Sequence, residues 1–413
     1  MKTEELATTK IAQNLTGYQS AIKSSGSTLE ENIRENYLNK WCGDALFHAI
    51  SVRTSFINSI NNFLTGEGLM NIEKVMLSII TDPLAHDVEH TPSISYKGQE
   101  YVTTHSMIYA KFLACFNKNI KGVYIDSPNI RLEIEHPNMI QRGKYLIDFS
   151  QMDIELRRNR NISLDEYLNN TEKVKRILKE DMDRAKDFFE RMLIAATTEI
   201  ANKNEEDLKA LGVRIEVPKQ PFPTFHCDKL KAKYGNKLYE VKAGEETKSQ
   251  FFWITGLLRE NYDLVYPYLL KDGKISPDKI NSEMIYNYDI CAKSIIRETG
   301  EHTPALELLS GGIREWLYET IVERLLDNKI ISTRPVIKDG NVENIDEIGG
   351  YAPFILSAFL KDKDNKQYFP DTFGGGIGIE RTLYTLLKGP VINKVDDITY
   401  FGKNPDSHQI YLF

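Results

Sequence analysis

"FPDTFGGGIGIERTLYTLLKGP", residues 369–390, sets three glycines in a row, an isoleucine and a fourth glycine before Glu380 and Arg381 open an apolar helix. Two familiar glycine patterns are excluded by spacing. A dinucleotide-binding turn needs G-x-G-x-x-G, and reading from Gly376 puts Arg381 where the third glycine belongs. A phosphate loop needs Gly-Lys-Ser/Thr, which does not occur here. Glycines alone would read as a strand packed closely under a helix. Arg381 adds something: a cation in the first helical turn opposes a dipole that favours anions there by roughly 0.3–1 kcal/mol. Its position implies an anion nearby, shared with free N–H groups. The helix is predicted to run to Leu387 and stop at Lys388-Gly389-Pro390.

The chain has 413 residues, enough for one large α/β or α+β body with inserts. Hydrophobic residues at 41% and charged residues at 27% suit a water-soluble globular chain. A net charge of −7 leaves no basic footprint for nucleic acid, which counts against tRNA as a partner. Cys42, Cys115, Cys227 and Cys291 are scattered without a C-x-x-C, as in reduced cytosolic proteins. The N-terminal MKTEELATTK carries no apolar signal core, and no apolar run reaches membrane-spanning length. The expectation is a cytoplasmic protein with no membrane partner.

Residues 1–45 read as a polar N-terminal arm, and residues 46–413 as one catalytic-type body. Apolar residues recur at helical spacing from Ala45 to Leu64, and Gly66-Glu67-Gly68 closes that helix. "LMNIEKVMLSII" (69–80) reads as a strand, and "EYVTTHSMIYAKFLACF" (100–116) as a strand turning into a helix near Ser106. "GVYIDSPNIRLEIE" (122–135) and "KYLIDFSQMDIELR" (144–157) are β-rich runs joined by a polar loop, which predicts an antiparallel pair. A long amphipathic helix is predicted from Thr171 to Lys203. "TPALELLSGGIREWLYETIVERLLDN" (303–328) is again strand, glycines, helix.

Several strand ends carry unusual polar residues. Arg131 and Glu133 lie in "NIRLE"; Gln151 and Asp153, two apart, share one strand face; Glu307, Ser310 and Arg314 lie in "ELLSGGIRE". Singly, each is most simply a structural ion pair or a surface charge. In this order they resemble the catalytic core of class II aminoacyl-tRNA synthetases, in the aspartyl/asparaginyl branch. "GGGIGIER" resembles the family's third motif, and "IRLE", loop, "DFSQMDIE" its second. "THSMIYAK" and "ELLSGGIR" resemble stretches of the ammonia-dependent asparagine synthetase built on that core. The first motif departs from the pattern, with Val75 where a proline is expected, and Tyr145 replaces a histidine.

The resemblance implies an α+β fold: a mainly antiparallel sheet of about six strands flanked by helices, with a helical insertion at about 156–285. It implies ATP and Mg²⁺ as cofactors, a small amino acid as substrate, and a homodimer. Residues 1–45 are too few for an anticodon-binding barrel. Arg131 would bind the α-phosphate and Arg381 the γ-phosphate, with Phe149 stacking on adenine and Glu133 near its amino group. Ser310 and Gly378 complete the ATP site, and Glu307 with Asp289 would hold the metal, a hard cation that takes oxygen ligands. Lys111 and Arg314 would grip a substrate carboxylate, with Asp82, Gln151 and Asp153 near its amino group and His105 orienting the loop. Two cations facing anions suit aspartate. The implied reaction is ATP-dependent acyl-adenylate formation, then transfer to ammonia or another nitrogen nucleophile. Alternatives are a paralogue acting on a modified amino acid or peptide end, and a non-catalytic protein that binds ATP or an amino acid.

Overall fold

The computed structural model describes Gly26 and residues 28–79, 93–104, 107–130, 146–158, 162–237, 239–258, 263–293 and 305–403. Eight strands form its main sheet: β1 (Met70–Asn71), β2 (Gly122–Ile130), β3 (Asp148–Arg157), β4 (Thr224–His226), β5 (Phe251–Thr255), β6 (Asn287–Ala292), β7 (Leu306–Ile313) and β8 (Thr372–Gly378). Their spatial order is β1-β2-β3-β8-β7-β6-β5-β4. Each neighbouring pair from β2 across to β5 is antiparallel. Short strands β1 and β4 add in parallel at the two edges. The expected antiparallel α+β sheet is therefore present, widened by one strand on each side.

One face of the sheet is covered by helices whose sequences dictate it. In α1 (Asp44–Gly66), Leu46, Ala49, Val52, Phe56, Ile60 and Leu64 recur every three or four residues, and all are buried. The helix ends at Gly66, and Gly68 turns the chain with φ +82°, a conformation that costs glycine little. In α3 (Thr171–Lys203), Val174, Leu178, Ala185, Phe188, Phe189, Met192 and Leu193 form the buried stripe, and Asn170 caps the first turn through Lys173 N–H. Phe63 of α1 meets Phe188 of α3 edge-on, with ring centroids 5.4 Å apart.

Two local readings change. The run 69–80 is not one strand. Met70–Asn71 pairs with β2, whereas Leu77–Ser78 joins a separate three-stranded sheet with Ser93–Tyr96 and Gln99–Thr103. Met70, Met76 and Leu77 are exposed, so no core holds the run straight. The described part of the arm is also more ordered than its polarity suggests. Residues Leu29–Trp41 form consecutive helical pieces behind a Thr28–Glu31 capping box, and Trp41 Nε1 donates to the Tyr400 carbonyl at 3.0 Å. The segment 156–285 contributes α3, β4 and β5, so much of it belongs to the central body.

The register of β3, β8, β7 and β6 explains the glycine run. Glu155 lies opposite Gly374, Gly374 opposite Gly312, and Gly312 opposite Asn287. One step along, Asp153, Gly376, Ser310 and Asp289 form a second row. Gln151 lies opposite Gly378. Directly opposed residues share a face, so this face is a polar trough floored by glycine. The other face carries Met152, Ile154, Phe373, Ile377 and Tyr288, all fully buried, and Gly375 there packs on the Phe189 ring.

The glycines are a steric requirement. A methyl at Gly374 would land on the Glu155 carboxylate, and one at Gly376 on the Gln151 amide. At Gly378 it would meet nothing nearer than Arg381 Cβ at 3.7 Å. Gly374→Ala should therefore lose about 1–3 kcal/mol of stability through overpacking, while Gly378→Ala stays within about 1 kcal/mol of wild type. Urea unfolding midpoints distinguish the two, and equal losses would refute the glycine floor.

Candidate active site

Over the first two rows of the trough lies a buried network of opposite charges. Helix α2 (Ile108–Ala114) begins after the strand Gln99–Thr103 and brings Lys111 in from above. Lys111 Nζ donates to Asp153 Oδ1 at 2.7 Å and lies 3.9 Å from Glu155 Oε2. From the end of β7, Arg314 lays one edge of its guanidinium along Glu155, with Nε to Oε1 at 3.3 Å and a terminal nitrogen to Oε2 at 3.5 Å. Its other terminal nitrogen donates to Asp263 Oδ1 at 2.9 Å. Thr372 Oγ donates to Glu155 Oε1 at 2.6 Å, and Phe112 lies beneath the guanidinium at 6.0 Å.

Lys111, Asp153, Glu155, Asp263 and Arg314 are each at most 3% exposed. Ions this deep are stable only when paired and hydrogen-bonded. Glu155 and Asp263 were not singled out in the sequence. Glu155 was readable in principle, since it continues the Gln151–Asp153 alternation; Asp263 comes from a loop with no periodic signal. The cations are thus not simply two positive groups facing anions. Among the described residues three carboxylates surround them.

One acceptor in the network stands apart. Asp153 Oδ2 is buried and has no hydrogen-bond partner among the described residues, and the same holds for Gln151 Oε1. Both side chains lie on the trough face beside Gly376 and Gly378. A buried acceptor left unmet costs about 1–3 kcal/mol. Two of them side by side create a place for a donor, and a cationic one best.

The far end of the trough holds the opening motif. Helix α4 (Ile379–Leu387) starts directly from β8 and ends at Lys388, as its sequence predicts. An Arg381 terminal nitrogen donates to the Glu307 carbonyl at 2.9 Å and lies 3.6 Å from Glu307 Oε1. Part of the anion that Arg381 called for is thus the protein's own. Glu380, nearly buried, accepts the Ser150 N–H at 2.9 Å and approaches an Arg53 nitrogen at 3.4 Å. Burial pushes the Glu380 carboxyl above the usual range against these contacts. Phe149, half-buried, begins the polar face of β3, four residues before Asp153.

Asp289 lies opposite Ser310, and Glu307 opposite Cys291, across an irregularity in the β6–β7 ladder. No group of three or more metal-ligating side chains occurs among the described residues. Asp289 and Glu307 offer the oxygen ligands that a hard cation such as Mg²⁺ takes, one or two carboxylates with phosphate and water oxygens completing its shell. Asp82, His105, Arg131 and Glu133, four of the expected site residues, lie outside the described residues.

A trough of this topology, with an arginine-led helix at one end and a buried charge network at the other, defines a class of proteins. Residues 28–405 match the family described as "tRNA synthetases class II (D, K and N)", and the chain belongs to that family. The aspartate–tRNA(Asp) ligase of Pyrococcus furiosus is 22% identical over 358 residues, which is 86% of this chain and 67% of that protein. The corresponding ligase of Thermococcus kodakarensis is 26% identical over 223 residues, 52% of this chain and 43% of that protein. The crystal structure of asparaginyl-tRNA synthetase from Pyrococcus horikoshii, complexed with asparaginyl-adenylate, superposes with a TM-score of 0.59. It covers 89% of this chain and 70% of that one at 15% identity, so the likeness establishes the fold. Membership in the aspartyl/asparaginyl branch, expected from the motifs, is borne out. No described helix is long and apolar enough to cross a membrane.

Breaking a buried pair leaves an uncompensated charge. Lys111→Met removes the partner of Asp153 and should lower stability by about 3–5 kcal/mol at neutral pH. Denaturant unfolding measures it, and a loss below about 1 kcal/mol would show that water or another cation already compensates Asp153.

Proposed function

We propose that this chain is an ATP-dependent, adenylate-forming ligase that activates aspartate and passes the acyl group to ammonia. The observation that carries the reading is the pair of unmet acceptors, Asp153 Oδ2 and Gln151 Oε1, above the glycine floor and next to Lys111 and Arg314. An ammonium group suits the first pair. A substrate carboxylate would share Lys111 and Arg314 with their carboxylate partners, and aspartate carries both an ammonium and a carboxylate.

The reaction divides along the trough. The substrate carboxylate oxygen adds to the α-phosphorus of ATP, and the bond to pyrophosphate breaks. Ammonia then adds to the acyl carbon, AMP departs, and a proton is released. With ammonia as acceptor the β-carboxylate is the one activated, and the product is asparagine. Negative charge builds on phosphate oxygens in the first step, so pre-placed cations should supply most of the rate. Arg381 would hold the γ-phosphate end, Phe149 would lie against adenine, and Ser310 and Gly378 would line the space between. Glu307 and Asp289 would hold Mg²⁺, whose role when bound is to neutralise phosphate charge. Arg131 and Glu133 complete the proposed ATP site, Asp82 and His105 the proposed substrate side.

Ammonia is favoured over tRNA by the net charge of −7, which offers no general attraction for nucleic acid. A second reading, transfer to tRNA, is favoured by the activity named for the relatives. We also propose a homodimer whose contact includes α1 and the run that follows it, where Phe47, Met70, Met76 and Ile79 are each exposed. Sedimentation should give a dimer, and charged substitutions at Met76 and Ile79 should dissociate it; a monomeric wild type excludes it.

Incubation with ATP, Mg²⁺, aspartate and ammonia should yield AMP and asparagine in equal amounts, followed by mass spectrometry. Product formed on tRNA but not with ammonia would install the second reading. Arg381→Ala should slow pyrophosphate release by about 10²–10³-fold, as for loss of one pre-placed donor. A rate within about threefold of wild type would remove Arg381 from the phosphate site.

A further inference from the structure

Asp263 is the least anticipated member of the buried network, and its surroundings are built around it. It is 1% exposed. Its backbone forms an isolated antiparallel bridge with Arg314, the residue whose guanidinium it also receives. Oδ1 accepts from Arg314 at 2.9 Å, and Oδ2 accepts from Asn287 Nδ2 at 3.1 Å. The buried Arg324 donates to its carbonyl oxygen.

Asn287 cannot turn its amide around to suit another partner. Its Oδ1 accepts the Leu257 N–H at 2.8 Å, and its Nδ2 donates to the Leu257 carbonyl at 3.0 Å. The Leu257 peptide therefore fixes which end of the amide faces Asp263: a donor. On the other side stands Arg314, which can only donate. Position 263 is thus required to present two acceptor oxygens. A carboxylate does so; an amide would set its own NH₂ against a donor whichever way it turned.

The space is equally specific. A methyl at Gly312 would sit 2.5 Å from Asp263 Oδ1 and 3.1 Å from Asn287 Cβ. Gly312 thus has the role toward Asp263 that Gly374 has toward Glu155. It is the reason the second glycine of "SGGIR" belongs to the site. Glu155 holds one edge of the Arg314 guanidinium and Asp263 a terminal nitrogen beyond it, so the fork's plane is defined from two directions.

We propose, on the reading that Arg314 receives the substrate carboxylate, that Asp263 is the positioning residue that sets the plane of the Arg314 guanidinium, with Asn287 and Gly312 as its supports. A planar fork recognises a carboxylate only when its plane and direction match. Misplacing such a group by about 1 Å can cost on the order of 10²-fold. Asp263 does this without standing in for the phosphate-binding residues at the other end of the trough, so its loss should be felt by the amino acid and not by ATP.

The test uses the full-length chain in amino-acid-dependent ATP–pyrophosphate exchange, with aspartate and asparagine assayed separately. Asp263→Asn keeps size and shape; Gly312→Ala leaves Asp263 in place but displaces its carboxylate. Both should raise KM for the activated amino acid by about 10-fold or more, approaching 10²-fold, with KM for ATP within about threefold of wild type. Agreement between the two variants supports the assignment, because one changes the chemistry of the Asp263 carboxylate and the other its position. An unchanged amino-acid KM in Asp263→Asn overturns it. Loss of ATP binding or of the thermal transition in both variants also overturns it, since a purely structural role would then suffice. A wild-type enzyme with no exchange for either amino acid, while ATP still binds, refutes instead the functional reading on which the role of Arg314 rests, and the positioning role with it.

Discussion

Buried carboxylates govern this structure. Glu155, Asp153 and Asp263 sit where an isolated ionised group would cost far more than a domain's whole stability margin. They are tolerable because Lys111 and Arg314 arrive from two different elements, and because the strands beneath have no side chains in the way. Much of the architecture serves that arrangement. The antiparallel register must place Gly374 and Gly376 against Glu155 and Asp153, since a shift of one residue would turn the carboxylates into the helical core.

The same constraint joins stability to chemistry. A well-satisfied ion network is neutral at best for folding relative to packed apolar residues, so its presence calls for another reason. Here the network is satisfied nearly everywhere and left open at Asp153 Oδ2 and Gln151 Oε1. That local incompleteness within a buried, charged frame is the feature on which the proposed zwitterion site rests. At the opposite end, Arg381 stands on a helix that starts directly from the glycine strand and meets Glu307 of β7, so the groups proposed for phosphate and for amino acid would share one floor. Pre-organisation of this kind needs little rearrangement as charge develops.

The helices carry a different part of the design. The stripe of α3 packs on the opposite face of the sheet, with Phe189 against Tyr288 and Gly375, and α1 packs on α3 through Phe63 and Phe188. Each fully buried side chain of this type contributes about 1.5–3 kcal/mol from removal of apolar surface from water. That apolar face offsets the cost of the polar one. Glu380 ties the two together, reaching from α4 to the β3 backbone at Ser150 and toward Arg53 of α1.

Periodic features were legible from the sequence alone. The bounds of α3, the strand–helix turn at Gly378, the β2–β3 pairing and the alternation of Gln151 with Asp153 all follow from local spacing, because helices and strands impose periods of 3.6 and 2 on their buried residues. The ordered motifs were also enough to place the chain in its family. Tertiary structure alone decided three things. The run 69–80 divides between two sheets because its apolar residues find no common core. The glycines face particular carboxylates because strands far apart in sequence meet in one register. Asp263 joins Arg314 because a non-periodic loop folds back on the end of β7, where an isolated bridge and a bare Gly312 receive it. Pairings of that sort depend on which side chains meet across the sheet, and no spacing along a single segment records them.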